Sequence, residues 1–419
     1  MPGALHCGKS RGNKRDVKMS VQGIGIPEPQ YRRLAVMPRW RSGMTLLIAW
    51  RNLVHDRVRL LVTLIGIAFS TILMGLELGM LLNFLHTTST IVDHANVDLW
   101  VTAHGVRSVD LATPLEERRR FQTLSVAGVA AAESYLLQFA FWKKPDGVRE
   151  TVIIIGVDPH AVMGLPWAIE PGRSVHDALS IPDGVIVDRL YAEKLGIDHI
   201  DQLVEINDHR ARVTAFTNGI RTFTQSPYVF TSLRTARLLT GRADKDITYV
   251  LVRLEKGQNP EAAAAALATR MPDVDVLQPT QFSNKSRTYW LFTTGAGTTL
   301  IASSVLALMV GVVIVAQTLY ASTMDRLPEY ATIRAMGGPR SYLYKIVIKQ
   351  AVVGGLLGYG VGITLVLTLA YLARHSSAAP QVPWWMAGSI AGITILMCAV
   401  ASLVSLNKVI SIDPVKVFR

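Results

Sequence analysis

A chain of 419 residues is long enough for two or three domains, and a hydrophobic share of 50% is high for a soluble protein. Its formal net charge of +12, from 43 Lys and Arg against 31 Asp and Glu, points to a membrane surface or a nucleic acid. The basic residues lie in an N-terminal arm and beside four apolar blocks, with no aromatic-interleaved basic patch and no nucleic-acid reader motif, so nucleic acid is not an expected partner. Of the two cysteines, Cys7 lies in the arm and Cys398 in an apolar run, so no intramolecular disulfide is expected.

Residues 1–43 form a basic arm in which no apolar stretch follows closely enough to make a cleaved signal peptide. Gly3 to Ser10 (GALHCGKS) fits the phosphate-loop pattern GxxxxGK[ST], but that loop works only between a strand and a helix. Only Met1 and Pro2 precede it, so no nucleotide site is expected there. The arm also fits an upstream start, with Met37 or Met44 as the true beginning. Residues 44–57 read as an interfacial elbow, Trp50 and Arg51 lying at headgroup depth. Residues 58–84 follow as the first span, since a helix needs about 20 residues to cross the hydrocarbon core. Arg59 can snorkel from its end, which leaves Glu77 as the one acid well inside.

From 85 to 290 the pattern changes to alternating strands and short helices, an α+β domain inserted between the first and second spans. Tyr135–Trp142 and Arg149–Val157 flank Lys-Pro-Asp-Gly as a hairpin, and Leu203–Ile206 and Ala211–Phe216 flank Asn207-Asp208-His209 as another. Val185–Val187, Tyr228–Thr231 and Thr248–Leu254 read as strands, and Leu190–Leu195, Leu233–Leu239 and Pro260–Met271 as helices. No metal-ligand spacing, no GxSxG and no paired acids placed by a motif occur here, so the chain is not expected to be an enzyme.

The remaining apolar blocks predict spans at 294–320, 346–372 and 385–406, making four in all. Gly354, Gly355, Gly358 and Gly362 in the third stand at small-xxx-small spacing, which either permits close helix packing or is the glycine that any membrane helix tolerates. Residues 373–384 make a short outer loop, and 407–419 a basic tail with Lys408, Lys416 and Arg419. Between the second and third spans, 325–345 holds a helix of two to three turns, from Leu327 to Met336. Pro328 suits its first turn, Gly337 and Gly338 can end it, and Pro339 forbids continuation. The arm, this connector and the tail are basic, whereas 373–384 is poor in charge. Both termini and the connector are therefore expected in the cytoplasm and the inserted domain outside.

This layout resembles the MacB/FtsX-type permeases of ABC transporters. Ala49-Trp50-Arg51-Asn52-Leu53 is similar to the family's A-x-R-N-L before the first span. Arg326 to Gly337 (RLPEYATIRAMG) looks like its R-x-x-E-x-A-x-L-R-A-x-G, and Asp413 to Arg419 looks like its D/E-P-x-x-x-x-R ending. Arg57 to Val62 and Gly66 to Phe69 most resemble the DevC branch, whose permeases pair with a separate ATPase and a membrane-fusion protein. The resemblance implies that the 325–337 segment is a coupling helix docked on a cytoplasmic ABC ATPase. Arg326, Glu329, Tyr330, Ile333, Arg334, Met336 and Gly337 are then its coupling residues, Tyr330, Ile333 and Met336 supplying apolar anchor area. It further implies a homodimer, a bacterial inner-membrane location, and ATP and Mg used by the partner, with no cofactor bound by this chain.

A charge at the bilayer centre costs roughly 2.5–3.5 kcal/mol on insertion scales. Glu77 should therefore face a protein interior or a watery crevice, and with Met80, Phe84 and His86 it is the candidate substrate pathway. Alternatively, Glu77 reaches water at the outer boundary while Met80 and Phe84 simply pack. The reading is a permease subunit of an ATP-driven exporter of a lipid-like or amphiphilic cargo, working with a membrane-fusion adaptor. Its rival keeps the machine but drops transport, the outer domains switching a periplasmic or cell-wall partner.

Overall fold

The computed structural model describes residues 57–337, 339–376 and 378–410. The arm, the elbow with its Ala49–Leu53 motif, the Gly3–Ser10 pattern and the Asp413–Arg419 motif lie outside these. In chain order the elements are α1 (Arg57–Thr87), α2 (Thr90–His94), β1 (Leu99–Ala103), β2 (Leu115–Glu116), α3 (Arg118–Leu124), β3 (Val129–Lys143), β4 (Arg149–Val157), α4 (Val175–Ser180) and β5 (Gly184–Asp188). After a 3-10 turn at Arg189–Tyr191 come α5 (Ala192–Leu195), β6 (Leu203–Ile206), β7 (His209–Thr217), β8 (Tyr228–Ser232), α6 (Leu233–Thr240), β9 (Asp246–Ile247) and β10 (Tyr249–Leu254). They continue with α7 (Pro260–Arg270), β11 (Val274–Leu277), α8 (Pro279–Thr288), a π turn at Tyr289–Thr293, α9 (Gly295–Asp325), α10 (Leu327–Ala335), α11 (Arg340–Leu372) and α12 (Trp384–Ile410).

Four of these helices, α1, α9, α11 and α12, are long and apolar enough to cross a membrane. Each outruns the apolar block that announces it: α1 runs to Thr87 rather than residue 84, α9 to Asp325 rather than 320, and α11 starts at Arg340 rather than 346. Helical hydrogen bonding does not stop at the hydrocarbon edge, and packing sustains the extra turns. Arg59 Nε, near the start of α1, lies 3.3 Å from the Asp325 carboxylate that ends α9. Leu61, Val62, Ile65 and Phe69 of α1 and Leu306, Met309, Val310 and Val313 of α9 remain exposed, as lipid-facing side chains should.

Inside the bundle, small residues set the approach of the helices. A methyl group on Gly358 would lie 2.6 Å from Ile67 Cβ, and one on Gly362 would lie 2.9 Å from the Ala68 carbonyl, so α11 rides directly on α1. Gly355 faces Cys398 of α12, while Gly354 meets nothing within 4 Å. Close packing therefore accounts for three glycines of the four.

The inserted domain is built on a nine-stranded sheet in the order β11-β1-β10-β3-β4-β8-β5-β7-β6, in which β6 also pairs with β3, while β2 and β9 form a separate two-stranded sheet. The long strand β3 belongs to two lobes. Its first half pairs with β10 (Tyr135↔Tyr249) and its second with β4 (Phe139↔Ile153). Successive side chains point to opposite faces, so Tyr135 and Leu137 enter one core while Leu136, Ala140 and Trp142 enter the other. The continuous run Val152 to Ile155 of β4 is buried on both faces for the same reason. The second hairpin turns on Asn207 and Asp208 alone, both at positive φ (47° and 66°), and His209 belongs to β7.

Candidate functional site

Two regions lie at opposite ends of the four-helix bundle: the connector α10, and the junction where the inserted domain meets α1 and α9.

Helix α10 sits against the bundle through Tyr330, which is 3% exposed and packs with Leu343, Val347 and Leu406. Its hydroxyl donates to Gln350 Oε1 at 3.1 Å. Burial pushes the phenol up to about 12, so it stays protonated and able to donate. Ile333 is partly buried against the same cluster, and Arg326, between α9 and α10, is 5% exposed. Gly337, at φ +85°, takes the left-handed conformation that ends the helix. Of the expected coupling residues, three are turned toward the bundle. Tyr330, Ile333 and Arg326 hold α10 in place and have little surface to give a partner. The exposed face is instead Pro328, Glu329, Thr332 and Met336, the last 75% exposed. The side chain of Arg334 lies outside the described residues. Pro328 and Thr332 were legible as i, i+4 and i+8 companions of Met336, but only the direction in which α10 is seated tells which stripe is free.

The four pathway candidates do not form one site. Glu77 is half-buried and accepts a hydrogen bond from Ser303 Oγ of α9, so its partner is a neighbouring helix. Met80 is half-buried, and Phe84 sets its ring edge-on against Phe223 of the inserted domain, centroids 5.6 Å apart. His86 is exposed and, nine residues beyond Glu77, lies about 180° around the helix. A cleft of about 1000 Å³ in the inserted domain, bordered by Asp158, Asp183, His209 and Arg234, includes none of the four.

At the junction, both covalent routes into the domain are broken. Helix α1 ends at Thr87, and Thr294 interrupts the chain between the π turn and α9 with extended backbone (φ −102°, ψ 149°). A polar clasp ties the two routes together. The Asp93 carboxylate accepts from Ser89 and Ser283 hydroxyls and from Arg287, whose Nε also donates to Ser89 Oγ at 2.9 Å. Beside it, Trp290 Nε1 donates to Ser108 Oγ at 2.9 Å, and that hydroxyl approaches Asp110 at 3.3 Å. Asp110 is 4% exposed, and burial pushes its carboxyl up to about 7. Sequence reasoning missed Asp110, Phe223 and Trp290, because nothing local marks a residue that meets its partners only in the folded chain.

Residues 60–270 match the model of the MacB-like periplasmic core domain, and 301–414 match that of the FtsX-like permease C-terminal region. The chain is 27% identical over 379 residues to an uncharacterised ABC transporter permease of Mycobacterium tuberculosis (strain CDC 1551 / Oshkosh), a match covering 89% of this chain and 99% of that one. It is 24% identical over 387 residues to another from Mycobacterium bovis, again covering 89% and 99%. Among solved structures it is similar to the periplasmic region of MacB from Actinobacillus actinomycetemcomitans, at 13% identity and a TM-score of 0.35, covering 49% of this chain and 97% of that one. The extracellular domain of the ABC-type transporter YknZ from Gram-positive bacteria matches at 15% identity and a TM-score of 0.33, covering 43% and 99%.

Proposed function

Because the chain belongs to the MacB/FtsX-type permease family of ABC transporters, we propose that α10 is the coupling helix through which a cytoplasmic ATPase moves the inserted domain. A multi-pass membrane permease of this family works with such an ATPase. The observation that carries the reading is the one-sided seating of α10. The helix is pinned by Tyr330 to α11 and α12, and it turns Glu329, Thr332 and Met336 outward. A short helix held on one face transmits a push on its other face to the helices behind it.

In this reading the chain lies in the bacterial inner membrane with both termini in the cytoplasm and the inserted domain outside. Two copies and two ATPases form the core, and ATP with Mg is used by the partner. Movement of the inserted domains expels a lipid-like or amphiphilic cargo toward a membrane-fusion adaptor. A second reading, force transmission without transport, is favoured by one observation: Glu77 is already paired with Ser303, and His86 lies on the other side of the helix from it.

Co-purification from native membranes tests the docking face. An ATPase should accompany the unaltered chain and be lost when Thr332→Arg and Met336→Asp are combined. Retention of the ATPase by that variant would show the docking face to be wrong. Cysteines placed at Glu329 and Gly147 should label from opposite sides of the membrane; labelling from the same side would end the model.

A further inference from the structure

We infer that the β7–β8 loop, residues 218–227, is the coupling element on the domain side, the contact that makes the inserted domain follow the bundle. This rests on the force-transmitting reading above and adds the place where movement enters the domain.

A moving helix carries a domain with it only through a stiff connection. The covalent routes are not stiff rods, since α1 stops at Thr87 and the backbone is extended at Thr294. The β7–β8 loop bridges that gap without a covalent link. Its root is fixed in the domain: one carboxylate oxygen of buried Asp188 accepts from Thr217 Oγ1 (2.9 Å) and from the Ile220 amide (2.7 Å). The Thr222 amide donates to Tyr191 Oη at 3.2 Å, and Ile220 is 1% exposed in the larger core.

The far side of the loop meets the bundle. The Phe223 ring lies 5.6 Å from that of Phe84 on α1 and 4.3 Å from that of Trp290 in the π turn before α9. Arg221 Nη2 donates to the Arg374 carbonyl at 2.6 Å, in the segment joining α11 to α12. One loop of the domain thus touches three of the bundle's connections. Trp290 also donates through Nε1 to Ser108, in the segment after β1. Phe223 therefore stands between two rings, edge-on to Phe84 of α1 and tilted against Trp290 in the approach to α9. Aromatic pairs in edge-on and tilted geometry attract one another beyond the area they bury, and π turns recur at functional sites.

Hydrogen exchange on the full chain, reconstituted with its co-purified ATPase in lipid nanodiscs, tests this with Mg-ATP and with nucleotide-free complex. In the unaltered complex, nucleotide should change exchange both in 327–337 and in the domain segments 106–111 and 218–227. In Phe223→Ala the response at 327–337 should remain while that of 218–227 is lost, and Phe223→Leu, which keeps an apolar side chain against Trp290, should retain both. Protection of β4 and β10 reports whether each variant is folded. Should Phe223→Ala fail to fold, Phe84→Ala, which removes the ring on the bundle side of the same contact, replaces it and should likewise cost the response of 218–227 while leaving that of 327–337. A response of 218–227 that survives Phe223→Ala, or Phe84→Ala in its place, overturns the inference alone. Absence of any domain response in the unaltered complex overturns the force-transmitting reading with it.

Discussion

At the scale of single residues, burial decides more than charge type. Asp110 ordinarily titrates near 3.8, but its buried position raises it to about 7, and Tyr228 and Tyr249 are the phenols that feel its charge. The folded form therefore keeps its proton while the unfolded chain has released it. Stability from this group is full below about pH 4, falls as pH rises toward 7 and is flat above. Over that interval, at about 1.4 kcal/mol per pH unit, the loss reaches ~4 kcal/mol at most. Exchange of 106–111, corrected for its intrinsic pH dependence, should speed up between pH 4 and 7 and level off above, and Asp110→Asn should flatten the curve. An unchanged slope in that variant would assign the effect elsewhere. Tyr330 gives a second case. Tyr330→Phe forfeits the hydrogen bond to Gln350, worth about 1 kcal/mol. Tyr330→Ala leaves a cavity costing about 3–5 kcal/mol. Amide exchange across 327–337 should rise slightly in the first and steeply in the second.

At the scale of elements, α11 shows what a sequence pattern means and where it stops. The glycine spacing announces a helix that approaches a neighbour closely, yet four glycines in one helix do not say which neighbour each one meets. Gly358 and Gly362 face α1, Gly355 faces α12 and Gly354 faces open space. Substituting Gly358→Leu should therefore disrupt the bundle, read as loss of a monodisperse peak on size-exclusion of the solubilised chain, whereas Gly354→Ala should be silent. Equal effects from the two would mean that the α1–α11 approach is wrong. The connector tells the same story: Pro328, Gly337 and Pro339 announce its ends, and the helix does run from Leu327 to Ala335. Its inward face is set by Leu343, Val347 and Leu406, the last more than seventy residues away along the chain.

At the scale of the whole molecule, the chain is a bundle with one face of a short helix free at one end and a two-lobed domain at the other. The two lobes share β3, so a displacement applied to either lobe must strain the other. Introducing Pro at Phe139, which is paired with Ile153 in β4, removes an amide and fixes φ within a central strand. The full chain should then lose protection in both lobes together. Loss confined to the β5–β8 side would show that the lobes open independently.

Local patterns were enough to place the four long apolar helices, their order, the inserted α+β domain, both hairpins and the ends of the connector. Each of these follows from local quantities: apolar run length, strand alternation, and the backbone freedom of Gly and Pro. The sequence also carried the family, through motifs flanking the spans. It took the folded chain to show that Tyr330 faces inward, that Glu77 meets Ser303, and that Phe223 lies edge-on to Phe84 and tilted against Trp290. Those are contacts between segments far apart in the chain, and no local pattern specifies which side chain will lie opposite another once loops close and helices cross.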